Sequence, residues 1–347
     1  MRKTAAKLLT AAALATSLVS IASGTALADP TVVPATADIV GVGSDTTQTV
    51  LNQFSTDYNA YLTGLGDTTS PRLYSFDATG SATITAKAGT TAFTRPNGSG
   101  AGINALNAAS PALPVDFARS SRAPQTGDLT TDIFVAFAKD AVTWSATATG
   151  SNAPANLTTA DLKNIYNGTY TTWNQITDIA GYTGPAVAIK PYLPQASSGT
   201  RSFFLKAIGV TTLGVNVVSG PEENEGTDVA LNDPNVIFPY SVGHYIGQVY
   251  GGHTTATDAP GALSLRNING VAPVTAGHTI NPTFANPVYG RTLYNVVRNA
   301  EWTATDAHGA ALRNIFGTSG WICTSGSADI TSYGFLTIGG CGSTTHI

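Results

Sequence analysis

Serine, threonine and glycine recur in this chain where an apolar, strand-like run gives way to a helix-like one. Four such turns stand out: Gly43-Ser44-Asp45-Thr46, Gly98-Ser99-Gly100, Ser120-Ser121-Arg122 and Ser198-Gly199-Thr200-Arg201. The first amides of a helix have no intrahelical partner, and the helix dipole favours negative charge beside them. Glycine lets an anion approach the backbone, and a serine or threonine hydroxyl adds a donor. Taken singly, each turn reads as an ordinary helix cap. Four in one chain, two of them with arginine, read as a cradle for a small anion.

The elements that must position these turns alternate between strand and helix. Asp38–Gly43 reads as a strand, and Val50, Leu51, Phe54, Tyr58 and Tyr61 then repeat at helical spacing. Ile103–Ala109 is expected to be a helix and Val115–Ala118 a strand. Ile133–Ala138 and Ala141–Trp144 read as a buried strand broken by Lys139-Asp140. Leu157–Tyr166 is expected to be helical, opened by Thr158 or Thr159. Val187–Lys190 reads as a strand and Ser202–Ile208 as a helix; Val236–Pro239 and Ser241–Val249 repeat that order. Val288–Val297 and Ala307–Phe316 close the series as strand and helix. Such alternation predicts an α/β fold with largely parallel sheets, whose ligands bind at the carboxyl ends of the strands.

Composition narrows the function. Arg2, Lys3 and Lys7 precede an apolar run over Leu8–Ile21, and Ala26-Leu27-Ala28 resembles a cleavage site, so residues 1–28 read as an export signal. Removing them from 347 residues leaves 319, enough for about two domains. It also takes away three of the 17 Lys and Arg, moving the formal charge from −4 to −7. An acidic chain lacks the cationic phosphate contacts of a nonspecific nucleic-acid binder. No later apolar stretch reaches the length of a membrane helix. With 42% hydrophobic residues a substantial core is available. Cys323 and Cys341 are expected to form one disulfide, as suits an exported protein. No cysteine directly follows the expected cleavage site, so a lipoprotein is not expected. His244, His253, His278, His308 and His346 lack metal-ligand spacing, and no cofactor is called for. Enzyme signatures are missing too, so no catalytic residue is assigned. Glu222, Glu223 and Glu225 read as a solvated acidic loop, the four tryptophans as packing residues, and Gly317–Ile347 as loop.

Longer motifs point to a family. Leu162-Lys163-Asn164-Ile165-Tyr166-Asn167-Gly168, with Trp173 and Ile176, resembles "L-x-x-I-Y-x-G … W-x-x-I" of the phosphate-binding proteins of bacterial ABC importers, in the type II periplasmic-binding-protein superfamily. Ser197-Ser198-Gly199-Thr200 resembles their "G-S-G-T", and Gly98-Ser99-Gly100 their second glycine–serine turn. Phe117–Pro124 is similar to "F-G-A-S-D-A-P", and Glu223–Ala230 with Ile237–Tyr245 to "G-N-D-G-V … G-A-I-G-Y".

The resemblance implies two α/β lobes joined by two crossing strands, placed at 36–138 plus 287–347 and at 139–286. Hinges are expected near Lys139–Trp144 and Pro287–Val297. It implies an oxyanion, phosphate first, held by Ser44, Asp45, Thr46, Ser99, Gly100, Ser121 and Arg122 from one lobe. Ser198, Gly199, Thr200 and Arg201 would close from the other. Two positions depart from the pattern. Arg122 stands where the family has an aspartate that accepts the proton of hydrogen phosphate, and Pro194 where it has an arginine. Arg122 or Arg201 is then expected to supply the cation and Asp45 the acceptor, which bears on discrimination against sulfate. The expected protein is a secreted monomer serving an ABC permease. The alternative is a secreted or wall-associated scavenging or adhesion protein of the same fold.

Overall fold

The computed structural model describes residues 29–108 and 112–345. The expected export signal lies outside the described residues, as do Ala109 and His346. In chain order the first strands are β1 (Ile39–Gly43), β2 (Leu73–Ser75), β3 (Thr83–Ile84), β4 (Phe93–Thr94), β5 (Phe117–Ser120) and β6 (Asp132–Thr147). Then come β7 (Asn156–Leu157), β8 (Lys190–Leu193), β9 (Val218–Ser219), β10 (Val236–Ser241), β11 (Leu263–Leu265), β12 (Asn267–Ile268) and β13 (Gly290–Arg298). The helices are α1 (Gln48–Gly64), α2 (Ser99–Leu106), α3 (Thr159–Tyr166), α4 (Gly199–Ala207) and α5 (Val242–Val249). Four more follow: α6 (Asn299–Trp302), α7 (Ala307–Phe316), α8 (Trp321–Thr324) and α9 (Ser327–Ser332).

Strands β2-β1-β5-β13-β6-β10-β8-β9 lie side by side in that order, with β11 also on β6. The fold is α/β and two-lobed, and β6 and β13 are its crossing strands. In one lobe, alternate residues of β1 and β6 feed opposite faces of the sheet. Ile39 and Val135 pack with α1 and α7, whereas Val40 and Phe134 pack with Ile103 of α2. The other core gathers Trp144, Leu162, Tyr166, Trp173, Phe204 and Ile237. Both lobes therefore cover their sheet with helices, as parallel strands require.

The sheet is mixed rather than largely parallel. β1 runs parallel to β2 and β5, and β8 parallel to β10, but β13 is antiparallel to β5 and β6. A chain that crosses between lobes once in each direction must lay its two crossing strands antiparallel. Lys139-Asp140 does not break β6, which is continuous from Asp132 to Thr147. Asp140 is fully buried, and Arg291 stands directly opposite it on β13. The carboxylate accepts from Arg291 Nε at 2.9 Å and Nη2 at 2.7 Å, from Ser241 Oγ at 2.8 Å, and from the Gly243 amide at 2.8 Å. A buried charge is tolerable when paired and fully hydrogen-bonded in this way.

Other boundaries moved for local reasons. The expected helix at Ile103 starts earlier, at Ser99, because Gly98 at φ +98° turns the chain there. Gly102 then lies inside α2, where a Cβ would come 2.6 Å from the Gly43 Cα. Val187–Lys190 precedes the observed strand β8 and overlaps it only at Lys190. Tyr61 is half-exposed, while Val50, Leu51, Phe54 and Tyr58 are buried. The tail carries α8 and α9 rather than loop, because Trp321, Ile322 and Ile330 pack into the core. The expected Cys323–Cys341 disulfide is formed.

Asp140→Ala is expected to destabilise the fold by about 3–5 kcal/mol, because it strands a buried guanidinium. Chemical denaturation of the variant and parent checks this; a midpoint unchanged by the substitution would show that the pair contributes nothing.

Candidate functional site

Each of the four turns begins as backbone geometry. After β1, the Ser44 amide donates to the Arg119 carbonyl at 3.1 Å, which fixes the start of the first turn. Ser198 caps α4, its hydroxyl accepting from the Arg201 amide at 3.0 Å. Ser99 opens α2 and accepts from the Ser121 amide at 3.0 Å. The remaining hydroxyls face one another. Ser44 Oγ donates to Ser121 Oγ at 3.1 Å, and Ser121 Oγ lies 3.3 Å from Ser99 Oγ. Gly199 sits against both the Ser99 and Ser121 hydroxyls, leaving no room for a Cβ. Across from them, Thr46 Oγ1 lies 3.3 Å from Thr200 Oγ1.

Ser44, Asp45, Thr46, Ser99, Ser121, Ser198, Gly199 and Thr200 are thus brought together, all of them buried. Gly100 is beside them, but its amide already donates to the Ser197 carbonyl at 3.1 Å, tying α2 to the turn before α4. Arg122 and Arg201 are not brought to the hydroxyls. Asp128 draws the Arg122 guanidinium away in a two-pronged pair at 2.6 and 2.8 Å. Arg201 Nη1 donates to the Pro194 carbonyl at 2.9 Å and to Ser219 Oγ at 2.6 Å.

Two other arginines take the inner positions. Arg291 Nη2 reaches Thr46 Oγ1 at 3.4 Å, and its Nη1 is buried without a partner. Arg119 is fully buried behind the first turn, donating from Nε to the Ser44 carbonyl at 3.0 Å. Its Nη2 also has no partner. Burial lowers its pKa to about 10 against the pull of the Asp77 and Asp45 carboxylates. Sequence reading passed over Arg291 because nothing near it in the chain marks it. Arg119 stood inside a quoted motif, and its apolar strand was the available signal.

The acidic loop is not solvated. Glu223 and Asn224 are fully buried, and Glu223 enters the space between the threonines. Its Oε1 accepts from Thr46 Oγ1 and, at 2.6 Å, from Thr200 Oγ1, while Oε2 has no partner. Asn224 holds this loop in place from a left-handed backbone at φ 60°. Its Nδ2 donates to Asp45 Oδ1 at 2.8 Å and its Oδ1 accepts from the Ser241 amide at 3.2 Å. Only a dense set of partners keeps a buried residue other than glycine there. Burial pushes Asp45 well above the usual carboxylate range, partly offset by His244. Glu225 is pushed up to about 7 by burial and by Glu222.

His244 completes the site from α5. Its Nδ1 lies 3.0 Å from the Thr46 carbonyl and its Nε2 2.6 Å from Asp258 Oδ1. Burial opposes its charge, but the Asp258 and Asp45 carboxylates and the Thr46 carbonyl outweigh that and raise it to about 10. The site therefore holds hydroxyls, the unpaired Arg291 Nη1 and the unpaired oxygens Asp45 Oδ2 and Glu223 Oε2, with Arg119 Nη2 and Asp258 Oδ2 also buried and unpaired. Among the described residues no His, Cys, Asp and Glu cluster is arranged to hold a metal ion.

A profile of the PBP superfamily domain matches residues 28–291. The chain belongs to that superfamily. No curated protein matches it. Among solved structures it is similar to an ABC-type phosphate transport receptor from Vibrio cholerae, at 17% identity and a TM-score of 0.56. That match covers 87% of this chain and 100% of the other. It is also similar to a protein from Clostridium perfringens, provisionally named a phosphate ABC transporter substrate-binding protein and solved with bound phosphate. There the identity is 17% and the TM-score 0.57, covering 87% of this chain and 99% of the other. At such identities the shared feature is the fold.

A histidine raised from 6.5 to about 10 stabilises the fold fully below pH 6.5, and that contribution is lost as pH rises through 10. The thermal midpoint is expected to fall between pH 7 and 10, and His244→Gln to flatten that fall. An equally steep fall in the variant would refute the assignment of the charge to His244.

Proposed function

We propose that the protein is a secreted solute-binding protein that captures phosphate, or a related tetrahedral oxyanion, between its lobes for an ABC importer. The observation that supports this most is the convergence of four hydroxyl-and-glycine turns on one buried cradle that already serves an oxyanion-like group. Glu223 presents a planar carboxylate to Thr46 and Thr200, so those hydroxyls are poised to donate to anionic oxygen. The lobes are taken as 36–138 plus 287–347 and 139–286, with hinges near Lys139–Trp144 and Pro287–Val297. On this reading residues 1–28 direct export and are removed, and the protein acts outside the cytoplasm. Among the described residues no helix is long and apolar enough to cross a membrane.

Recognition proceeds by exchange. An incoming anion takes the Thr46 and Thr200 donors, and the Glu223 carboxylate gives them up. Ser99 and Ser121 hydroxyls, together with Arg291 Nη1, supply further donors to a tetrahedral guest. The protein is read as a binder rather than an enzyme. His244 spends one ring nitrogen on the Thr46 carbonyl and the other on Asp258, so it is no base for the serine hydroxyls.

Calorimetric titration with phosphate and with sulfate tests the reading, and silence with both at high protein concentration would overturn it. Ser99→Ala is expected to weaken binding by about 1–3 kcal/mol, the cost of a lost bond to a charged ligand. Glu223→Gln is expected to strengthen phosphate binding at least about tenfold, because a nearby buried like charge costs several kcal/mol. Unchanged affinity in both variants would move the site elsewhere.

A further inference from the structure

A separate cavity of about 780 Å³ opens between the lobes beside Arg291. Its walls come from the turn after β5, from β6 and β13, and from the outer face of α4. Lys139, Lys206, Arg122 and Arg291 all line it, and no Asp or Glu does. Four of the 17 Lys and Arg of an acidic chain therefore face one pocket. Arg122 and Arg291 are neutralised by Asp128 and Asp140. Lys139 and Lys206 make no ion pair among the described residues, so the pocket keeps a net positive charge. Arg291 also leaves Nη1 without a partner although its side chain is only 2% exposed.

The same cavity has an aromatic side. Phe203 and Tyr294 line it, and the Arg291 guanidinium lies over the Phe203 ring at 5.8 Å. Cavities of about 300–1,000 Å³ with apolar walls and a few convergent polar groups hold organic molecules. A five-atom oxyanion leaves most of this volume unfilled, and none of the cradle's Thr46, Ser99, Ser121 and Thr200 lines it. Charge and size together call for a guest with both an anionic head and an organic body.

We propose that this cavity is a second binding site, and that it takes an organic phosphate monoester. The phosphoryl group sits with Lys139 and Lys206, and the organic part lies against Phe203 and Tyr294. The site is independent of the cradle formed by Thr46, Ser99, Ser121 and Thr200, so it stands whether or not that cradle binds inorganic phosphate.

Equilibrium titration of the full mature chain with phenyl phosphate, inorganic phosphate and phenol, for the parent and for Lys206→Glu, tests the proposal. Lys206 is exposed on α4, so the variant is expected to fold, which circular dichroism verifies; Lys139→Gln is the second variant. Phenyl phosphate is expected to bind the parent and to lose at least tenfold in affinity in Lys206→Glu, while inorganic phosphate affinity changes by less than twofold. Phenyl phosphate binding without any response to inorganic phosphate would support this site and refute the cradle reading. No binding of phenyl phosphate, equal binding of phenol, or unchanged phenyl phosphate affinity in both lysine variants would each overturn the proposal.

Discussion

Asp140 and Arg291 face each other where both crossing strands pass between the lobes, and neither charge has water to fall back on. Their attraction does more than join two strands. The same carboxylate accepts from Ser241 and Gly243 at the start of α5, so it also sets the helix that carries His244. The same guanidinium reaches Thr46, so it sets the edge of the hydroxyl cradle. A buried ion pair is weak evidence for net stability, because desolvation cancels much of the Coulomb gain. Its contribution here is register: shifting either strand by one residue would separate the charges and turn every side chain to the opposite face.

That constraint explains which parts of the molecule were legible from sequence. The turn at Gly98 and the cap at Ser198 depend on residues within a few positions, and so they can be read from types and spacing. The same holds for Ala307–Phe316, whose observed bounds match the expected helix. The strand Asp132–Thr147 was misread as broken because local polarity at Lys139-Asp140 is disfavoured in a core unless a partner exists. That partner lies 151 residues away. Glu223 is the same case in a loop: a run of acidic residues normally faces water, and this one turns inward to threonines 177 and 23 residues distant. Arg122 failed in the other direction. Its own neighbour Asp128 captures it, and Arg291 takes the inner place.

The unpaired atoms of the cradle fit together as a set. Arg291 Nη1 and, behind the first turn, Arg119 Nη2 are donors without acceptors, whereas Glu223 Oε2 is an acceptor without a donor. Each such buried group costs free energy until it is matched. A carboxylate from the chain satisfies only two hydroxyl donors with one oxygen. A tetrahedral oxyanion bearing one proton offers several acceptors and one donor, and so complements both halves of the set at once. On the proposed reading, Glu223 keeps the threonine hydroxyls hydrogen-bonded while Arg291 Nη1 is left for the guest. Because hydroxyls exchange one oxygen acceptor for another, that exchange conserves hydrogen bonds. On that reading, affinity is decided by the residual charge of Glu223 and by the donors that only the guest can reach.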